Sequence, residues 1–344
     1  MKTLCCLFFL CIILFSCSKE PVPDQEDLQE DKISVKKHDT IPYEYFYSID
    51  FDENNDLWMQ TMIEDTSVHL PPYSSYLPMK SLLIKYDGEI YTVYDGLLFA
   101  EMFFDANDNL WLHSGSQLMT FDRYENQIEV HYMVEDEESY IEQVYLDSQN
   151  NIWIEGSKNI GLLKQTKDGW EKQFSPTEYY KLHIDKNGDT YFSTLGNNVL
   201  KYSEGQAQVV GEESWTDHFI LERRGLLTDD NNRLWVSAVG SNSLKISLAV
   251  FEDGEWKANN PPIDKEEEIH SLETMFLDKK GRLWVQNNKI LNNKIEGNAL
   301  FVLDHESWSQ YEHITDDHIY DYAFDKNDNL WLSTYEKGII KIDF

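Results

Sequence analysis

The sequence predicts an all-β chain, a single seven-bladed β-propeller of four-stranded antiparallel blades whose ring is closed by an N-terminal strand. Three observations predict it. The string Asp-x-x-[Gly/Asn/Asp]-x-[Leu/Ile]-Trp recurs along the chain, ending on Trp58, Trp111, Trp153, Trp235, Trp284 and Trp331, with an altered copy on Tyr191. Successive aromatics are separated by 53, 42, 38, 44, 49 and 47 residues, by subtraction of those positions. Such intervals are too long for one solenoid coil and suit four strands with loops. Apolar and alternating runs flank every copy, as strands do.

Each copy opens with an aspartate six places before the aromatic: Asp52, Asp105, Asp147, Asp185, Asp229, Asp278 and Asp325. Three places before the aromatic stand Asn55, Asp108, Asn150, Gly188, Asn232, Gly281 and Asp328, residue types that tolerate a left-handed backbone. The pattern predicts a hairpin turn in which the aspartate accepts turn amides and the left-handed residue closes a type I turn with a bulge. Before each turn comes a run such as Tyr47-Ser48-Ile49-Asp50-Phe51, and after it a run such as Leu110-Trp111-Leu112. Third strands follow, as at Leu82 to Tyr86 and Gly338 to Ile342, then fourth strands, as at Ile90 to Tyr94 and Trp308 to Tyr311.

The seventh unit reaches Phe344 straight after its third strand. The segment Ile33 to His38 precedes the first repeat as the other fourth strands precede theirs, so it is expected to close the ring beside the final strand. The repeated tryptophans are expected in the core. Buried between blades, each removes about 150 to 250 Å² from water, an upper bound of roughly 4 to 6 kcal/mol apiece.

The repeat resembles the two-component regulator propeller repeat, with its D-x-x-G-x-L-W core and a following Gly-[Leu/Ile]-x-[Lys/Arg] strand, as in Asp325 to Trp331 and Gly338 to Lys341. The resemblance covers about residues 40 to 344 and takes its specificity from sevenfold recurrence. It implies the extracytoplasmic sensing part of a hybrid two-component sensor, or a free-standing lipoprotein of the Bacteroidetes type. No second propeller, kinase or DNA-binding segment accompanies it here, so signalling requires a partner.

Residues 1–16 hold one lysine and then the apolar run Leu4 to Phe15. The run is too short to span a bilayer comfortably and fits the core of a secretory signal, the alternative being an uncleaved anchor. Ser16-Cys17 resembles a bacterial lipobox, which implies cleavage before Cys17 and acylation of its thiol. Cys5, Cys6 and Cys11 fall in the removed segment, leaving no disulfide, thiol nucleophile or thiolate metal site. Residues 17–32 are then the lipidated cysteine and an acidic tether, and residues 33–344 the propeller. The tether holds six acids against Lys19 and Lys32, with two prolines and no aromatic, and reaches at most about 50 Å. Cys17-Ser18-Lys19-Glu20 partly resembles a Bacteroidetes surface-export signal, although Pro21 stands where a second acid is expected. Outer-membrane anchoring, with the cell surface favoured over the periplasmic side, follows.

The formal net charge of −33 makes polyanions poor partners, and no basic cluster suits nucleic acid. The acidity keeps an exported protein soluble. Asp-rich turns such as Asp52 to Asp56 begin like an EF-hand loop but lack the glutamate at its twelfth position, so neither metal nor cofactor is expected.

Function in a propeller sits where the connections converge at one end of the channel. Blade 1 carries a long insertion, 61–80, with Tyr73 and Tyr76, and blade 6 another, 287–298. The connections bring Tyr45, Tyr140, Tyr180, Trp215, His218, Arg224, His270, His318 and Tyr320 to the same end. Aromatic planes with polar neighbours suit sugar rings and protein partners alike. A monomeric propeller is therefore expected to bind a glycan, or an outer-membrane or sensor protein in an uptake or sensing assembly, without catalysis. The alternative is a carbohydrate-active lyase or hydrolase assembled from histidines such as His183, His218, His270, His313 and His318 with nearby carboxylates; no spacing fixes such a site.

Overall fold

The computed structural model describes residues 34–38, 43, 45–65, 79–97, 99–147, 149–157, 160–174, 179–185, 187–194, 198–203, 206–211, 219–240, 246–262, 269–291, 294–311, 318–334 and 337–343. The chain from Ile33 to Phe344 forms one compact unit. Among the described residues every regular element is a strand, and the strands build seven antiparallel sheets in sequence order.

Blade 1 contains Ser48–Phe51, Leu57–Glu64, Met79–Tyr86 and Tyr91–Asp95; blade 2, Glu101–Phe104, Leu110–His113, Gln117–Asp122 and Gln127–Met133. Blade 3 has Ile141–Leu146, Ile152–Gly156, Gly161–Thr166 and Gly169–Phe174; blade 4, Tyr179–Ile184, Thr190–Thr194, Val199–Ser203 and Gln206–Val209. Blade 5 has Phe219–Thr228, Leu234–Gly240, Ile246–Glu252 and Glu255–Ala258; blade 6, Ile269–Leu277, Leu283–Leu291, Lys294–Asp304 and Ser307–Tyr311. Blade 7 has Ile319–Phe324, Leu330–Thr334 and Gly338–Ile342.

The hairpin turns form as the repeat dictates. All seven residues expected in the left-handed region are there, from Asn55 at φ 68° to Gly188 at 83° and Asp328 at 65°. The opening aspartate accepts two turn amides through Oδ1, as Asp229 does from Asn231 (2.9 Å) and Arg233 (3.0 Å). Its other oxygen accepts the indole N–H of the repeated tryptophan: Trp58 at 3.1 Å, Trp111 at 3.1 Å, Trp153 at 3.0 Å, Trp235 at 2.9 Å, Trp284 at 3.0 Å and Trp331 at 3.2 Å. The aspartate thus satisfies the turn backbone and lets a polar N–H enter the core without loss.

Each tryptophan then packs into the interface with the next blade, and each of the seven interfaces holds one apolar cluster. Trp58 meets Met102 and Leu112 of blade 2; Trp235 meets Leu283 and Val285 of blade 6. A cation lies over most of these rings, as Lys164 does over Trp153 at 4.7 Å and Arg233 over Trp235 at 5.3 Å, and it pairs with the turn aspartate, Lys164 with Asp147 at 3.7 Å and Arg233 with Asp229 at 2.6 Å.

The closing strand departs from expectation. Ser34–His38 pairs antiparallel with Tyr91–Asp95, from Ser34 opposite Asp95 to His38 opposite Tyr91, and becomes a fifth strand on the outer edge of blade 1. Blade 7 has three strands among the described residues. The ring closes through side chains instead. Ile49, Met59 and Ile84 of blade 1 pack on Ala323, Trp331 and Ile339 of blade 7. The Ile49 N–H donates to Asp321 Oδ2 at 2.9 Å, and the Lys326 N–H to Asn55 Oδ1 at 2.6 Å. The physical reason is that the interblade layer is the same at all seven interfaces, so the last blade needs no shared sheet to dock. An unpaired outer edge on blade 1 offers a short strand the same ladder of donors and acceptors.

The blade 6 insertion is also not a loop for most of its length. Residues 287–291 and 294–298 extend the second and third strands into a paired hairpin, with Asn288 opposite Asn298 and Leu291 opposite Lys294.

Candidate functional site

The first strand of each blade lines the axis, and its inward edge carries backbone groups that the sheet does not pair. Side chains of the neighbouring blade satisfy several of them. Asp50 Oδ2 accepts the N–H of Phe104 at 2.8 Å, Asp321 Oδ2 that of Ile49, and His183 Nε2 that of Thr228 at 3.0 Å. His183, a candidate for acid–base chemistry on sequence, is here a bracket between blades 4 and 5.

Confining carboxylates in this wall raises their pKa values. Burial pushes Asp321 up to about 7, with the nearby Glu101 and Asp50 charges adding to the effect against two backbone hydrogen bonds. Burial likewise carries Asp50 up to about 6. Glu101 Oε2 meets His113 Nε2 at 3.1 Å and accepts from Gln143 Nε2 at 2.9 Å, tying blade 2 to blade 3. No group of three or more potential metal ligands occurs among the described residues.

Above this wall the first strands share an irregularity. In blades 3, 4, 6 and 7 the register slips by one residue, between Ile141 and Gln143, Tyr179 and Lys181, Leu272 and Thr274, and Ile319 and Asp321. The residues left out of the ladder are Glu142, Tyr180, Glu273 and Tyr320. In blade 5 the slip spans Leu221 to Leu226 and includes Arg224. All five stand five places before the opening aspartate of their turn, and the same count reaches Tyr47 in blade 1 and Ala100 in blade 2. A bulge bends its strand and re-aims the extra residue, and recurs beside functional sites. One backbone level of the ring therefore holds three tyrosines, two glutamates, an arginine and an alanine at equivalent positions of the seven first strands.

Where side chains are described, this level is aromatic and acidic. The Tyr320 ring lies 5.0 Å from that of Tyr47 across the blade 7–blade 1 interface, and 5.3 Å from His318, edge to face at 87°. Tyr45 is 40 % exposed just before it. Half-buried Tyr140 hydrogen-bonds Glu142, whose carboxyl is raised by burial and by the Glu155 charge, with the Tyr140 bond opposing.

Of the residues named from sequence, Tyr45, Tyr140, His318 and Tyr320 lie at this end, and His318 and Tyr320 touch. Tyr180 and Arg224 lie on bulges within first strands rather than in connections. His270 also lies in a first strand, opposite Lys289 on the extended hairpin of blade 6. Tyr73, Tyr76, Trp215 and His218 lie outside the described residues, as does Cys17. Sequence reasoning passed over Tyr47, Glu142 and Glu273; counting five residues back from each turn aspartate finds all three.

No protein-family model matches the chain, and no curated protein matches it. Solved structures do resemble it. A virginiamycin B lyase from Staphylococcus aureus, in a catalytically inactive form with quinupristin, is 12% identical with a TM-score of 0.59, over 90% of this chain and 99% of that one. The extracellular domain assigned to a hybrid two-component system of B. thetaiotaomicron is 14% identical with a TM-score of 0.57, over 91% of this chain and 42% of that one. YCF48 bound to D1 peptide is 13% identical with a TM-score of 0.59, over 90% of this chain and 97% of that one. At these identities the likeness is one of fold.

Proposed function

We propose that the protein is a lipid-anchored outer-membrane recognition module, displayed on the cell surface, that binds a glycan at the mouth of its channel without transforming it. The ring of residues five places before the turn aspartates carries this reading. Tyrosine faces such as those of Tyr47 and Tyr320 stack on the C–H faces of sugars, and carboxylates such as Glu142 bond hydroxyls. The acids also disfavour a strongly anionic glycan. The extracytoplasmic setting rests on the lipobox-like Ser16-Cys17 and on the likeness to an extracellular sensor domain. A partner protein in an uptake or sensing assembly is the second reading, and the peptide complex of YCF48 favours it.

Incubating the detergent-solubilised chain with a panel of neutral and charged polysaccharides separates these readings. Retention without product, lost in Tyr320→Ala and weakened in Tyr45→Ala, is expected. New reducing ends or unsaturated products would assign a hydrolase or lyase instead, and absence of retention together with capture of an outer-membrane protein would transfer the mouth to a protein ligand.

A further inference from the structure

Three outer strands carry a tryptophan at one fixed place, one pair above the hairpin that closes the third and fourth strands. Trp170 pairs with Gln165, Trp256 with Phe251 and Trp308 with Leu303. Each indole N–H reaches back to the preceding blade: Trp170 to the His131 carbonyl at 2.9 Å, Trp256 to the Val210 carbonyl at 3.0 Å, and Trp308 to Asn259 Oδ1 at 2.9 Å. These side chains clip neighbouring blades together at their outer corners.

In blade 2 the same place holds Ile128, paired with Phe121. Isoleucine is too small to act as the clip, and the corner is open: a cleft of about 370 Å³ lies there, with Leu110 and Phe121 in its floor and Arg123, Tyr124 and Ile128 at its sides. That volume is at the low end of the ~300–1,000 Å³ typical of ligand clefts. Its lining is mostly polar, and its exposed apolar surface is Tyr124, 81 % exposed, and Ile128, 41 % exposed. Tyr124 stands over the Arg123 guanidinium at 5.8 Å.

We propose that this cleft is a docking site for an aromatic side chain, tryptophan above all, on an extended basic segment of a partner protein. The aromatic preference comes from the chain itself, which fills the three equivalent corners with indole. Charge selects the flanking residues. The Arg123 guanidinium is taken up by Asp52, at 3.0 Å, and by Asp108, while Asp122, Glu125 and Glu129 are exposed around it, so a lysine-flanked segment is favoured. The chain's own N-terminal segment is not the occupant, since residues 17–38 contain no aromatic. A second copy carries the same formal −33 and is repelled. This site is separate from the channel mouth and stands whether or not the mouth binds a glycan.

The test uses the full chain in detergent and a fluorescein-labelled Gly-Lys-Thr-Trp-Lys-Thr-Gly peptide, read by fluorescence polarisation. Saturable binding is expected, weakened at least about tenfold by Ile128→Trp, which fills the corner as in blades 3, 5 and 6, and by exchange of the peptide tryptophan for alanine. Tyr124→Ala, a change at an exposed ring that the fold does not need, is expected to weaken binding several-fold with an unchanged melting temperature. Added salt should weaken it further. Absence of saturation up to about 1 mM peptide, binding indifferent to Ile128→Trp, or competition by a neutral oligosaccharide at this corner would each overturn the proposal.

Discussion

Replacing Asp229 by alanine tests the logic of the repeat most directly, because an internal control exists. Asp229 is buried and holds four donors: the backbone N–H groups of Asn231 and Arg233, the Arg233 Nε–H at 2.6 Å and the Trp235 indole N–H at 2.9 Å. Trp235 is fully buried, so its N–H would find no water. A stranded buried donor costs about 1–3 kcal/mol, and each turn amide about 0.5–1.5 kcal/mol. The Arg233 bond is discounted because that side chain is partly exposed. Asp229→Ala is therefore expected to lose about 3–5 kcal/mol. Asp185 accepts the same two turn amides, from Asn187 at 2.8 Å and Asp189 at 2.9 Å, but the aromatic of its repeat is Tyr191, which has no indole N–H. Asp185→Ala should lose less, by the roughly 1–3 kcal/mol assigned to the stranded indole. Urea unfolding of both variants against the parent, followed by far-UV circular dichroism, gives the difference. Equal losses, within about 0.5 kcal/mol, would refute the claim that the aspartate carries the indole in addition to the turn.

Stability should fall as pH rises from about 4 to about 7. The raised carboxyls of Asp50 and Asp321 bind protons more tightly in the folded state, so their contribution is complete below the unfolded pKa and is lost on approach to the folded one. Asp321→Asn should flatten that slope in thermal melts; an unchanged slope would place these acids in water. The opposite sign holds at lower pH. Burial raises Asp105, Asp147, Asp278 and Asp325, but turn and indole hydrogen bonds outweigh it and leave all four below the ordinary value, so their contribution disappears as pH drops below about 4. Gln60→Met should raise stability by about 1 kcal/mol or more, because Gln60 is fully buried and neither amide atom has a hydrogen-bond partner in the structure; a loss on calorimetry would show that a bound water serves the amide. Cys17→Ala should move the protein from the detergent phase to the aqueous phase on Triton X-114 partition, and no movement would remove the lipid anchor from the proposal.

The sequence announces whatever depends on residue type at a fixed interval. Left-handed residues such as Asn55 and Gly188 can be named in advance because few side chains tolerate that backbone, and the tryptophans because a large apolar ring at a constant place in a repeat belongs inside. Other features depend on register, which composition does not encode. The bulges at Glu142, Tyr180 and Tyr320 insert one residue without disturbing the surrounding apolar runs, so Tyr180 and Arg224 read as connections although they lie in strands. The segment Ser34–His38 would suit any free edge, and nothing in its five side chains distinguishes blade 1 from blade 7. Likewise, Asp and Trp six positions apart are visible, whereas the folding of the indole back over its own turn is not.

The position of Ser34–His38 determines how the molecule answers tension. A force applied at residue 33 is borne first by the pairing of that strand with Tyr91–Asp95, ahead of any interblade core. Traction along the leader would strip five residues from a flank and lengthen the leash while all seven wedges stay seated, giving the proposed membrane attachment a sacrificial link that can reseal when the strain is released.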